Sequence, residues 1–169
     1  PYNINQSAAR TLEYAYNDWC IYQMGKKLNR PSEELELYKK RSLNYKNLFN
    51  KPFNLMSGRE ANGNFQPNFE PVKWWDAFTE GTSWSVFHDI QGLIGLMGGE
   101  KAFVNMLDSV FIMPPTFGAN SDTRGSLVHE MREMQVIDMG QYAHGNQPIQ
   151  HMIYLYDYAG EPWKTQYWI

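Results

Sequence analysis

Apolar residues recur at helical spacing along most of the chain. Leu12, Ala15, Tyr16, Trp19 and Tyr22 fall three or four positions apart, which predicts a helix from about Ser7 to Leu28. Asn29 to Pro31 interrupts it. Ser32 then stands where it can cap a second helix, with Glu33 and Glu34 in a first turn that favours acids and Tyr38, Ser42, Tyr45 and Phe49 marking one face. These two helices are expected to form a hairpin. From Asn50 to Ser83 the period breaks into Pro, Gly and Asn with aromatics between them, as in Lys51-Pro52-Phe53, Asn62-Gly63-Asn64-Phe65 and Trp74-Trp75. A long aromatic loop of this kind usually carries function.

Helical spacing then returns. Asp89 can cap a short helix through Met97, closed by Gly98-Gly99, and Phe103, Met106, Leu107 and Val110 outline another that ends before Pro114-Pro115. Met113 to Gly125 reads as a second loop, Ser126 to Met139 as a helix, and Gly140 to Gln147 as a turn. Pro148 sits at a favoured first helical position, and Ile149, Met152, Ile153 and Tyr156 continue that helix until Gly160-Glu161-Pro162 starts another. No alternating strand run of useful length occurs, so the expected class is all-α. Successive helices joined alternately by short turns and long loops suit an α/α toroid, of which about seven helices fill only a part.

Composition narrows the partners. With 169 residues, 43% hydrophobic and 20% charged, the chain can bury one core and is expected to be ordered. A formal net charge of −3, with basic residues scattered apart from pairs such as Lys26-Lys27 and Lys39-Lys40, argues against nucleic acid. The longest apolar stretches, Ile90 to Met97 and Phe103 to Ile112, are too short or interrupted to cross a bilayer, so no membrane span is expected. Cys20 is alone, excludes an internal disulfide, and reads as a buried thiol. Met134, Met139 and Met152 read as core packing. Aromatic residues make up 15%, and rings of this kind serve as platforms on which the C–H face of a sugar packs. The chain starts at Pro1 without a methionine and ends at Ile169 inside an expected helix, so either end can be a cut and the absence of a signal peptide carries no information.

Several stretches, in order, resemble the family 92 glycoside hydrolases, bacterial exo-α-mannosidases. They are Thr11-Leu-Glu-Tyr-Ala-Tyr-Asn-Asp-Trp-Cys20, Phe78-Thr-Glu-Gly-Thr-Ser-Trp84, His88-Asp89 with Gly92-Leu93-Ile94 and Leu96-Met-Gly-Gly99, Gly140-Gln-Tyr-Ala-His-Gly-Asn146, and Tyr154-Leu-Tyr-Asp-Tyr-Ala-Gly160 running into Pro162-Trp-Lys-Thr-Gln166. The resemblance implies an (α/α)6 toroid of which residues 1–169 form a single partial catalytic domain, completed by the remainder of its own chain. It also implies inverting hydrolysis of terminal α-mannosides, a calcium ion against the sugar hydroxyls, and a secreted or periplasmic location. The general base and most calcium ligands are then expected beyond Ile169.

One position decides the chemistry. Family members typically read His-Gly-Asn-Glu-Pro-Ser-His-His, with the glutamate as general acid, whereas this chain reads His144-Gly-Asn-Gln147-Pro-Ile-Gln-His151. An inverting glycosidase needs one carboxylic acid to protonate the departing oxygen while a second carboxylate activates water from the opposite face. Gln147 has no such proton. A mannosyl phosphate expels an anion that is already stable, which an amide N–H serves better than a carboxylate, and glutamine here resembles the branch that uncaps mannose-1-phospho-6-mannose. The expected partner is therefore a mannose-containing, phosphomannosylated glycan. The alternatives are an ordinary exo-α-1,2-mannosidase with an engineered or atypical acid site, and a non-catalytic carbohydrate-binding protein. Ile149 and Gln150 also depart from the family Ser and His, which a single engineered change would not produce.

The remaining candidates each have a plain structural reading. Glu80 and Trp84 flank the aromatic loop and are assigned to substrate, against loop anchoring. His88 and Asp89 are adjacent, so their side chains diverge and cannot share one metal at helical spacing; both are assigned to substrate, with Asp89 otherwise a helix cap. Asp18 beside Trp19 and Arg59 after Ser57-Gly58 are candidates for sugar and for an anionic group, against a solvated carboxylate and a surface ion pair. His144 and Asn146 join the site through their proximity to Gln147.

Overall fold

Helix α1 covers Ser7–Lys27. Its buried line is Ala8, Leu12, Ala15, Asp18 and Gly25, mostly small residues, while Tyr16, Trp19 and Tyr22 are half-buried beside it. Cys20, expected to be buried, is only partly so. The small residues allow close approach: a Cβ on Gly25 would stand 2.8 Å from Leu35 Cδ2 of helix α2, Ser32–Arg41. Asn29 turns the chain with φ +52°, and the Arg30 N–H reaches back to Gly25 O at 3.0 Å, closing the expected hairpin. Pro31 occupies the cap position and Ser32 makes no cap bond, contrary to the sequence expectation, because proline already fixes the entry angle. Charges follow the helix dipole, with Glu33 and Glu34 at the start and Lys39, Lys40 and Arg41 at the end.

In the computed structural model the described residues are 7–66, 83–115 and 129–169. They divide into two compact units, Pro1–Asp89 and Ile90–Ile169. The apolar face expected to continue α2 instead passes through a 3-10 turn, Asn44–Leu48, into a two-residue strand β1, Phe49–Asn50. Strand β2, Leu55–Met56, pairs antiparallel with it in the register Phe49 to Met56 and Asn50 to Leu55. Met56 N–H donates to Ser83 Oγ at 2.9 Å, bringing the far end of the long loop back to this ladder.

The second unit is helical throughout its named elements. Helix α3, Ile90–Leu96, is closed by Gly98 and Gly99, both at φ +99°, a conformation that glycine adopts without cost. Helix α4, Glu100–Ile112, buries Phe103, Val104, Leu107, Val110 and Phe111. Helix α5, His129–Ile137, is followed by a turn in which Gly140 has φ +62°. A Cβ on Gly140 would lie 2.4 Å from Val110 O, so only glycine lets this strand of chain press on the last turn of α4, where Gln141 N–H bonds Val110 O at 2.8 Å. The helix expected after Pro148 begins as a 3-10 segment, Gln147–Tyr154, before a short α6, Leu155–Tyr158, and α7, Pro162–Trp168. Phe111 knits this core, its ring 5.1 Å from Tyr142, 6.0 Å from Tyr156 and 4.7 Å from Trp168. No described helix is long and apolar enough to cross a membrane.

Candidate active site

In the first unit three aromatic residues, none of them predicted for the site, gather around His88. Its Nε2 lies 2.7 Å from Ser42 O, so Nε2 carries the proton and donates. Among the described residues Nδ1 is then a bare acceptor, buried without a hydrogen-bond partner. Tyr16, Trp19 and Tyr45 stand around the ring with centroids at 6.1, 6.2 and 5.6 Å. Burial lowers the His88 pKa, against the opposing pull of Ser42 O and Asp89, so the ring is held neutral. Asp89 turns to other partners: its Oδ2 accepts from Tyr45 Oη at 2.6 Å and faces Lys46 Nζ at 3.6 Å. Burial and the Asp89 bond push the Tyr45 pKa up, which keeps the phenol a donor.

Other candidates in this unit are already engaged. Asp18 is 4% exposed and accepts from Arg41 Nε at 2.9 Å, so it is a buried ion-paired carboxylate rather than a solvated one. Arg59, a candidate for an anionic group against a surface ion pair, donates to Asn47 O and Gly63 O and lies 3.8 Å over the Phe65 ring, so it ties a loop together. Trp84 is 1% exposed and belongs to the core, away from any surface on which a sugar could stack. Glu80 lies outside the described residues.

The second unit carries the turn with Gln147. Gln147 is exposed at the first position of its 3-10 segment, and Asn146 before it makes no side-chain cap bond. Around them is a small network that sequence reasoning missed. Tyr142, fully buried, meets His144 Nδ1 at 3.1 Å and donates from Oη to Gln150 O at 3.4 Å. A phenol has one proton and a carbonyl only accepts, so both contacts are satisfied when His144 Nδ1–H donates to Oη. Burial pushes the Tyr142 pKa up to about 12, which secures that proton. Gln150 Nε2 returns to His144 O at 3.2 Å, closing the segment that holds Gln147. Beside it opens a cavity of about 490 Å³ lined by Met139, His144, Gln150, Ile153, Tyr154, Trp168 and Ile169. Met139, expected in the core with Met134 and Met152, is the one of the three that reaches this cavity. Glu133 of α5 was also missed: a Cβ on Gly145 would fall 1.9 Å from its Oε2, so its carboxylate rests directly on the turn. The only signal in the sequence was the presence of Tyr142 and Gly145 within the Gly140–Asn146 word.

The whole chain, residues 1–169, matches the model of the glycosyl hydrolase family 92 catalytic domain. The chain belongs to glycosyl hydrolase family 92. An inverting mannosidase of this family from Bacteroides thetaiotaomicron is 42% identical, with a TM-score of 0.77 over 99% of this chain and 23% of its own. A family-92 α-mannosidase from the same organism, solved with mannoimidazole, is 33% identical with a TM-score of 0.80, over 99% of this chain and 22% of that one. An uncharacterized secreted glycosidase of Arthroderma benhamiae is 29% identical over 93% of this chain. The family-92 chain spans about a fifth of the length of these relatives, 20% to 23%. The expected all-α class is observed, and the match assigns these helices to the family's (α/α)6 catalytic domain.

Calcium needs six to eight oxygen ligands. Among the described residues no group of three or more His, Cys, Asp or Glu side chains is placed to hold a metal ion, so these residues do not by themselves form its cage. What the second-unit turn offers is an amide at Gln147, the hydrogen-bonded network of Tyr142, His144 and Gln150 behind it and one carboxylate, Glu133, against it.

Proposed function

We propose that the full-length protein releases terminal α-mannose from a mannosyl-phosphate linkage of the mannose-1-phospho-6-mannose type, by inversion with calcium assistance, outside the cytoplasm. The observation that carries this reading is Gln147, an exposed amide at the position that the motif resemblance assigns to the proton-donating glutamate. General acid catalysis contributes about 10²–10⁴ in rate, so its absence costs an alkoxide leaving group about 3–5 kcal/mol of barrier. A phosphate monoester has its second ionisation near about 6 and departs at neutral pH without a proton. Water adds to the anomeric carbon and gives its proton to a carboxylate outside this chain. The C1–O bond breaks, and mannose 6-phosphate leaves with the bonding pair. The Gln147 side-chain N–H hydrogen-bonds the departing oxygen.

A second reading is favoured by Glu133, whose carboxylate sits on Gly145 of the same turn. As an atypical proton donor it would make the protein an ordinary exo-α-mannosidase. One panel separates the two readings: the full-length protein, its Gln147→Glu variant and its Glu133→Gln variant, each with mannose-1-phospho-6-mannose and with α-mannobiose. We expect the parent to cleave the diester and leave mannobiose nearly untouched, and Gln147→Glu to raise mannobiose cleavage at least tenfold while lowering diester cleavage. Preferential hydrolysis of mannobiose by the parent, lost in Glu133→Gln, establishes the second reading instead. Binding of both sugars with release from neither points to a carbohydrate-binding protein.

A further inference from the structure

One hydroxyl ties both ends of the segment that carries Gln147. Tyr142 Oη accepts from His144 Nδ1–H at 3.1 Å and donates to Gln150 O at 3.4 Å, so its two partners stand three positions before and three positions after Gln147. The tyrosine is itself held from two sides. Its ring is fully buried, 5.1 Å from that of Phe111, and its backbone follows Gln141, whose N–H bonds Val110 O at 2.8 Å on the last turn of α4. At Gln147 the local bracing is slight: Asn146 makes no side-chain cap bond, and the helix that begins there is of the 3-10 kind, with its poorer hydrogen-bond geometry. The Gln150 Nε2 bond to His144 O closes the segment on itself, whereas the Tyr142 bonds fasten it to the core.

A hydrogen-bond donor lowers a barrier when it is aimed at the oxygen on which charge develops, and an error of about 1 Å costs up to about 10²-fold in rate. We propose that Tyr142 is a positioning residue: its hydroxyl, buried out of reach of substrate, sets the place of the Gln147 amide opposite the departing oxygen. The role of Gln147 in this inference rests on the proposed function, and the clamp rests on the hydrogen bonds. Tyr156 supplies an internal comparison. It is also fully buried, with its ring 6.0 Å from Phe111, but its hydroxyl donates to Asp108 Oδ1 of α4 at 2.9 Å.

The test uses the full-length protein with Tyr142→Phe and Tyr156→Phe, each of which removes one hydroxyl and keeps its ring. On mannose-1-phospho-6-mannose, Tyr142→Phe is expected to lower kcat about tenfold with KM within about twofold, and Tyr156→Phe to leave both within about twofold at a similar loss of melting temperature. In a Gln147→Ala background the Tyr142→Phe change is expected to cost less than about twofold, because the group it aims is gone. Additive losses, or an equal loss in Tyr156→Phe, overturn the proposal, since they mark a hydroxyl that only stabilises the core. Hydrogen exchange read by mass spectrometry gives a measure independent of turnover: peptides covering 144–150 are expected to exchange at least about fivefold faster in Tyr142→Phe and at the parent rate in Tyr156→Phe. If the parent leaves the diester intact, the substrate reading has failed and exchange alone decides. Faster exchange confined to that segment and to Tyr142→Phe then sustains the clamp, and any other pattern, general loosening included, removes it.

Discussion

His88 and Asp89 are consecutive and do opposite things. Asp89 is satisfied by a phenol and faces an ammonium, whereas His88 spends one nitrogen on Ser42 O and keeps the other buried and bare. A neutral imidazole is the form that this environment accepts, since protonation would place a charged N–H where no acceptor meets it. The consequence for stability has a definite sign. The unfolded histidine takes up a proton below about 6.5, while the folded one, its pKa lowered by burial, refuses it until lower pH. The unfolded state therefore binds more protons in that interval, and stability is complete above about 6.5 and lost as pH falls toward the folded value. Melting curves of the full-length protein with His88 and with His88→Gln, a residue that keeps an N–H for Ser42 O, are expected to diverge below pH 6.5, with the variant losing less stability on acidification. Parallel curves would show that His88 titrates alike in both states.

At the scale of elements, two glycines separate what conformation requires from what packing requires. Gly140 and Gly160 both have positive φ, +62° and +75°. A Cβ on Gly160 meets nothing within 4 Å, whereas one on Gly140 would strike backbone atoms of Val110 and Phe111 at 2.4 Å. Gly160→Ala is expected to cost about 1–2 kcal/mol, the ordinary penalty for a left-handed alanine. Gly140→Ala should cost clearly more, because backbone cannot step aside as a side-chain end can, and the motion would propagate through Tyr142 to the Gln147 segment. Denaturant midpoints measure the difference, and equal losses would mean that the turn is free to shift. The same elements explain what was legible. The α1 and α4 patterns translate into Ser7–Lys27 and Glu100–Ile112 because long helices repeat their signal. The segment after Pro148 misled because Ile149, Met152 and Leu155 fit a spacing of three while Ile149, Ile153 and Tyr156 fit 3.6, so the 3-10 start left no separate mark. Two-residue strands are too short to display alternation. Glu133 against Gly145 and Tyr142 between His144 and Gln150 are contacts made by folding, and a list of residue types carries them only as isolated letters.

For the molecule as a whole, the chain corresponds to about a fifth of the length of the relatives it matches. In our reading the Gln147 turn serves the leaving group, and inversion then demands a carboxylate base on the other face. Among the described residues no three His, Cys, Asp or Glu side chains converge, so the calcium of our reading, which takes six to eight oxygen ligands, finds no such cluster there. In our reading, ring distortion and charge stabilisation on the mannose side lower the barrier whichever group departs. Chelating calcium from the full-length protein is accordingly expected to lower mannose release from the diester at least a hundredfold, with recovery on returning calcium. The Gln147→Glu variant, measured on mannobiose, should lose no less, since an added acid does not replace a distorted ring. Unchanged turnover after chelation, with calcium content verified by atomic emission, would mean that the phosphate leaving group alone makes the bond labile enough and that the metal has no part in this reaction.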